Sequence, residues 1–285
     1  MPLVAITREL GALGERVAAE LGEALGCPVI YHEIIDYVAN KMRLRKSHVI
    51  KLLEGRASLF ERLTADQISL SIFTAAETFT LAARPQGAVF LSWGAAQLLE
   101  RVPQAVRVRI CAPLSLRCER VKQNLGSGDD EFVLHEINIS DEAHSAITKR
   151  HFGIRWREAE HYDLVLNTAR LSTHACVDTI VQLVRSEEFR EDQVARSRLE
   201  DLSLEAHVRG ALRQNPETAR LKLTIVCEGG RVLLGGTVSS ANDRTAVVAV
   251  ASGVTGVNEV VNRLNQSGAD RMPSDVLASN FSSRP

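Results

Sequence analysis

The residues with the most chemical promise stand at the start of the chain, where Arg8-Glu9-Leu10-Gly11-Ala12-Leu13-Gly14-Glu15-Arg16 follows the apolar run Val4 to Thr7. An apolar run, a turn punctuated by glycines and then Val17, Leu21 and Leu25 at helical spacing predict strand, loop and helix. Backbone N–H groups exposed at such a helix N-terminus favour an anion, and Gly11 and Gly14 allow the close approach a phosphate needs. The complete phosphate-loop pattern ends in Gly-Lys-Ser/Thr, whose ammonium and hydroxyl meet the outer phosphates and magnesium. Here that place holds Gly14-Glu15 or Glu15-Arg16. The architecture of phosphate binding is announced without its usual side chains. The plainer alternative is a tight strand-to-helix turn with no ligand.

The elements that must position this loop alternate as a parallel α/β sheet requires. Val4 to Thr7, Pro28 to Ile30, Ala88 to Leu91, Val106 to Cys111 and Leu164 to Asn167 are short β-rich runs, giving four or five parallel strands. Gly26 ends the first helix, Glu33 to Arg43 has helical spacing, and Ser47 to Ala83 suggests two or three helices. Arg117 and Arg120, three apart after the Val106 to Cys111 run, share a helix face aimed at the carboxyl edge of the sheet. They meet either phosphate or acidic neighbours.

Composition bounds the partners. Lys and Arg number 34 against 35 Asp and Glu, a formal charge of −1, which removes a general argument for nucleic acid. The 285 residues suggest two domains. Cys27, Cys111, Cys118, Cys176 and Cys227 are scattered and include no Cys-x-x-Cys pair, so neither a disulfide framework nor a metal site is expected. No signal peptide and no run of ~18 apolar residues is present, and a soluble cytoplasmic protein is the expectation.

Over roughly the first 185 residues the chain resembles the cytidylate kinase-like family of P-loop proteins. The resemblance is carried by Ile6-Thr7-Arg8-Glu9-Leu10-Gly11-Ala12-Leu13-Gly14, Glu33-Ile34-Ile35, Gly94-Ala95, Ala112-Pro113-Leu114 with Arg117, Glu119, Arg120 and Val121, and Tyr162-Asp163-Leu164-Val165-Leu166-Asn167-Thr168. It implies a P-loop parallel sheet flanked by helices, with ATP and Mg2+ as cofactors of phosphoryl transfer to a nucleoside monophosphate. The nucleotide would lie against Arg8, Gly11, Ala12, Leu13, Gly14, Glu15, Arg16, Arg117 and Arg120. Lys122 to Trp156, with Lys149, Arg150 and Arg155, takes the place of the family's lid.

Departures from the family's pattern fall where catalysis needs residues. Leu13 replaces a loop glycine; Tyr31 and His32 replace an aspartate and a lysine of the monophosphate region. Ser92-Trp93-Gly94 replaces Gly-Arg-Gly, and Trp93 can stack on a base but cannot neutralise a phosphate. After Asp141, His144 and Ile147 stand for arginine and tyrosine. Tyr31, His32, Trp93, Asp141 and His144 are thus the candidate substrate-side residues, and no catalytic residue is assigned. Three readings stay open. The favoured one is a nucleotide- or phosphate-binding protein, degenerate as a kinase and used in regulation, assembly or partner binding. The others are an active CMP- or dCMP-type kinase, and a non-binding scaffold.

Beyond the charged segment 187–202, which reads as a solvated linker or helix, the order is αββαβ. Val232-x-Leu234-x-Gly236-x-Val238 and Gly253-Val254-x-Gly256-Val257 make residues 203–266 resemble a BON domain, smaller and of α+β class. Residues 1–186 form the larger domain, and 267–285 are expected to be a disordered tail. The resemblance implies self-association or contact with a protein partner ahead of lipid headgroups.

Overall fold

The computed structural model describes residues 1–53, 57, 66–91, 94–126 and 128–266. Trp93 and the segment 267–285 therefore lie outside the described residues. The chain divides into two compact units, Met1–Ala206 and His207–Pro285.

In the first unit, β1 (Leu3–Arg8), β2 (Val29–Ile30), β3 (Ala88–Phe90), β4 (Ala105–Cys111) and β5 (Leu164–Asn167) form one sheet in the order β2-β3-β1-β4-β5. Every pairing is parallel. Side chains on a strand alternate between faces, so β1 serves two cores at once. Val4 and Ile6 join Val106, Val108 and Ile110 under α1 (Gly14–Leu25) and α8 (Thr173–Val184), which contribute Val17, Leu21, Cys176 and Ile180. Leu3 and Ala5 join Phe90 and Ala105 against α2 (His32–Met42), α3 (Lys46–Leu53) and α4 (Gln67–Ala82), which contribute Ile34, Val38, Val49, Leu70 and Phe73. A sheet covered on both sides explains why β1 and β3 read as continuous apolar runs, whereas β4 carries Arg107 and Arg109 on one face.

Three further helices surround the carboxyl edge of β1 and β4: α5 (Ala95–Leu98), α6 (Leu114–Leu125) and α7 (Asp130–Phe152). Asp129 caps α7, its side chain accepting from the N–H groups of Glu131 and Phe132. Gly26 ends α1 in the left-handed conformation at φ 64, as its position after the periodic run required.

Helix α9 (Gln193–Gln214) runs from the first unit into the second. Its first half lies within 187–202, yet Ala195, Leu199 and Leu202 are buried, and Leu199, Leu202 and Ala206 belong to the core of the first unit. The reason is spacing: these four recur every three or four residues through a charged sequence, a narrow apolar stripe that overall composition conceals.

In the second unit, β6 (Leu223–Glu228) and β7 (Arg231–Val238) form a hairpin, and β8 (Glu259–Gln266) pairs with β7 in parallel. Gly229 and Gly230 have φ of 57 and 82, the pair of positive angles that a two-residue hairpin turn demands. The crossover from β7 to β8 is α10 (Ala241–Ser252), opened by a capping box between Ser240 and Asp243. The order is the expected αββαβ. Among the described residues, no helix is long and apolar enough to cross a membrane.

Candidate functional site

The loop after β1 is shaped by its backbone. Glu9 N–H donates to the Ile110 carbonyl at 3.1 Å, continuing the β1–β4 register one residue beyond the strand, and Ala12 N–H donates to Glu9 O at 3.0 Å. Gly11 and Leu13 both take positive φ, 81 and 62. Leu13 is the N-cap of α1 and gives no side-chain cap. Among the described residues, no acceptor is found for the N–H groups of Leu10, Gly11, Leu13, Gly14, Glu15 and Arg16. Successive amides in such alternating conformations make an anion-binding concavity.

Its glycines are required by sterics. A Cβ on Gly11 would stand 2.7 Å from the Arg117 carbonyl oxygen, and one on Gly14 would stand 2.5 Å from Cβ of Arg8.

From beneath, α6 holds the loop by its carbonyls. Arg117 Nε donates to Leu10 O at 2.7 Å. Arg120 Nη1 reaches Gly11 O at 3.3 Å and Thr168 Oγ1 at 2.9 Å, while its Nη2 donates to the Thr168 carbonyl at 2.8 Å. The Thr168 hydroxyl donates in turn to Ala12 O at 2.9 Å. With the carbonyls of residues 10, 11 and 12 thus engaged, the unbonded amides are what the loop has left to offer.

Arg117 is spent in this role. It is 3% exposed, its terminal nitrogens donate to both oxygens of Asp141 at 3.0 and 2.8 Å, and Glu9 lies 3.6 Å away. Of the two alternatives open for Arg117 and Arg120, phosphate or acidic neighbours, Arg117 meets the acidic neighbour, since a buried guanidinium must find acceptors close at hand, and both arginines brace the loop. Arg8 extends past Gly14 and donates from Nε and Nη2 to Glu15 Oε1 at 3.2 and 2.8 Å. Arg16 turns down α1 to Glu20 at 2.8 Å, with 70% of its side chain exposed, so it pairs along the helix surface.

Behind the clamp lies a charge network that the sequence did not reveal. Glu9, 6% exposed, accepts from Arg109 at 2.7 Å and from the Ala112 N–H at 3.2 Å. Arg157 donates to Asp141 at 2.6 Å. Trp156 is buried, with the Arg109 and Arg157 guanidiniums 5.5 and 5.4 Å from its ring. His144 stacks on it at 4.6 Å. Burial first, and then Arg8, Arg117 and Arg157, hold the His144 imidazole well below its usual pKa, against the opposing pull of the Ser140 carbonyl. It is a neutral packing group.

Asp141 and His144, expected on the substrate side, are thus internal partners of the arginines and of Trp156. Tyr31 and His32 lie at the carboxyl end of β2, in edge contact at 4.9 Å, with β3 between them and the loop. Sequence reasoning missed Glu9, Arg109, Trp156, Arg157 and Thr168. One signal was available: Arg107 and Arg109 alternate with Val106, Val108 and Ile110, which marks one face of β4 as polar.

A family model described as the cytidylate kinase-like family matches residues 3–170, and the BON domain model matches residues 200–268. An uncharacterized protein from Eubacterium ventriosum is similar at 18% identity and TM-score 0.51, the match covering 66% of this chain and 100% of that one. Shikimate kinase from Acinetobacter baumannii, in complex with shikimate, is similar at 14% identity and TM-score 0.39, over 67% of this chain and 96% of that one. The YorR protein of Bacillus subtilis, in complex with phosphorylated GDP, is similar at 13% identity and TM-score 0.40, over 67% and 99%. No curated protein matches the chain.

Proposed function

The chain belongs to the cytidylate kinase-like family, and from that premise we propose that its 8–16 loop binds the phosphate of a nucleotide or other phosphate-bearing small molecule without efficient phosphoryl transfer. The observation that carries this reading is the set of loop amides without acceptors, above carbonyls already engaged by Arg117, Arg120 and Thr168. Charge supports it. Arg120 donates to neutral acceptors, Gly11 O, Thr168 Oγ1 and Thr168 O, so its positive charge under the loop has no carboxylate set against it among the described residues.

Phosphoryl transfer asks for more. Its transition state is stabilised by cations free to follow the migrating group, together with magnesium. Arg117 is locked onto Asp141, and the more exposed Arg16 and Arg8 each set their charge against a carboxylate, Glu20 and Glu15. The loop amides suit the phosphates of ATP, but residues 11–16 include no hydroxyl that would reach Mg2+. Trp93 adds no charge where the family pattern has arginine. The BON-like unit then serves assembly or contact with a protein partner.

The test is a titration of the full chain with ATP, GTP, CMP and dCMP, with and without magnesium, beside a phosphotransfer assay on the same preparation. Binding with turnover at background supports the proposal. Turnover of CMP or dCMP at ordinary rates replaces it with an active kinase, and absence of all binding replaces it with a scaffold.

A further inference from the structure

We infer that Glu15 holds the loop in check: its carboxylate is an internal competitor for Arg8, which an incoming phosphate must displace before it can engage that guanidinium. The inference rests on the phosphate-binding reading of the loop and deepens it.

Arg8 and Glu15 are not paired by sequence proximity on one element. Arg8 ends β1 and Glu15 lies in the first turn of α1, with the loop between them. The guanidinium reaches the acid because Gly14 has no Cβ to obstruct it. Two of its nitrogens converge on a single oxygen, Oε1, leaving the other oxygen and the remaining terminal nitrogen outside the pair. The partners are unequally held. The Arg8 side chain is 20% exposed, whereas Glu15 is 69% exposed. The cation stays where the fold puts it, and the acid can swing into water without any change in packing.

Glu15 enjoys the same two attractions that an anion at the loop would seek, a guanidinium and the positive end of a helix dipole. Any anion that engages Arg8 must first displace this carboxylate, and the cost of that displacement is common to all of them. A phosphate dianion brings more charge and three acceptor oxygens, enough to engage Arg8 and several loop amides together.

The experiment is calorimetric titration of the full chain at fixed pH and ionic strength, with pyrophosphate and with dimethyl phosphate as probes. Four proteins are compared: wild type, Glu15→Gln, Arg8→Gln and the double variant, each shown to be folded by its melting curve. Glu15→Gln is expected to tighten pyrophosphate about tenfold and dimethyl phosphate by no larger a factor, since each displaces the same carboxylate. In the Arg8→Gln background the same change should gain no more than about twofold, because the competed group is gone. An equal gain in both backgrounds means that Glu15 acts only through its field and overturns the inference. No gain, or weaker binding, also overturns it. If neither wild type nor Glu15→Gln binds pyrophosphate, the phosphate-binding reading itself fails and the inference falls with it; binding that is identical in the two sinks the inference alone.

Discussion

Arg117 and Asp141, on α6 and α7, meet fork to fork, with Nη1 3.0 Å from Oδ2 and Nη2 2.8 Å from Oδ1. The third donor of the same guanidinium holds the Leu10 carbonyl. The position of α7 and the shape of the 8–16 loop are therefore joined through one side chain. Asp141 is also the acceptor for Arg157, which leaves it enclosed by two cations.

The first prediction tests that junction. Asp141→Ala leaves Arg117, 3% exposed, with a buried charge that has lost its bidentate partner. Removing one member of a buried pair typically costs about 3 to 5 kcal/mol, against about 0 to 1 for an exposed pair. Asp141→Ala should lower the urea-unfolding free energy by about 3 kcal/mol, whereas Glu187→Ala, which frees the exposed Arg190, should lower it by less than 1. Equal losses would show that the network adds nothing to stability.

The second concerns pH. Desolvation by burial, and then Arg8, Arg117 and Arg157, depress the His144 pKa in the folded protein below the ordinary value of 6.5. The unfolded chain therefore binds a proton at His144 that the folded chain refuses. Stability contributed by neutral His144 is complete above pH 6.5 and declines as pH falls below it. His151 is depressed too, through burial and Arg150, and adds a smaller slope of the same sign. Between pH 6.5 and 5, where most carboxylates stay ionised, His144→Phe should flatten most of the decline in melting temperature. An unchanged slope would assign it to other groups.

How much of this was legible in the sequence follows from the range of each interaction. The loop, Gly26 and the Gly229-Gly230 hairpin are local, and their residue types announce them within a few positions. Strand β1 was legible because both its faces are buried and Leu3 to Ile6 read as an apolar run, and β4 because Val106, Val108 and Ile110 recur at alternate positions. Glu9 and Arg109 lie 100 positions apart, and no local pattern says that this acid will be buried on that arginine. Nor does the spacing of Arg117 and Arg120 say whether their donors face a ligand or the loop's own carbonyls. That depends on where α6 sets down against residues 10–12, which only the packed sheet decides.

The third prediction addresses Leu13. Its φ of 62 places a branched residue in the left-handed region, which costs a non-glycine residue about 1 to 2 kcal/mol. Glycine relieves that strain and returns part of the gain through greater freedom of the unfolded chain. Leu13→Gly should raise unfolding free energy by about 0.5 to 1 kcal/mol and strengthen ATP binding by freeing the loop amides. A destabilised Leu13→Gly would mean that the leucine side chain contributes packing worth more than its backbone strain.

The fourth concerns where the first unit ends. Leu199, Leu202 and Ala206, at 1, 3 and 7% exposure, belong to the core that includes Leu99, Val102 and Ala105. Full burial of a leucine is worth about 1.5 to 3 kcal/mol, so Leu199 and Leu202 together supply roughly 3 to 6, an upper bound because an unfolded chain is itself partly compact. A domain commonly has only about 5 to 15 kcal/mol of net stability. Residues 1–206 should accordingly give a cooperative urea transition, while 1–186, which also loses the 2.6 Å contact of Glu191 with the Met1 ammonium, should unfold early or bind a hydrophobic dye in the manner of a molten state. The two fragments differ by residues 187–206, which include the part of α9 that carries the apolar stripe. If 1–186 unfolds as cooperatively and at the same midpoint as 1–206, the apolar stripe on α9 is dispensable and the charged segment after residue 186 is a linker in the ordinary sense.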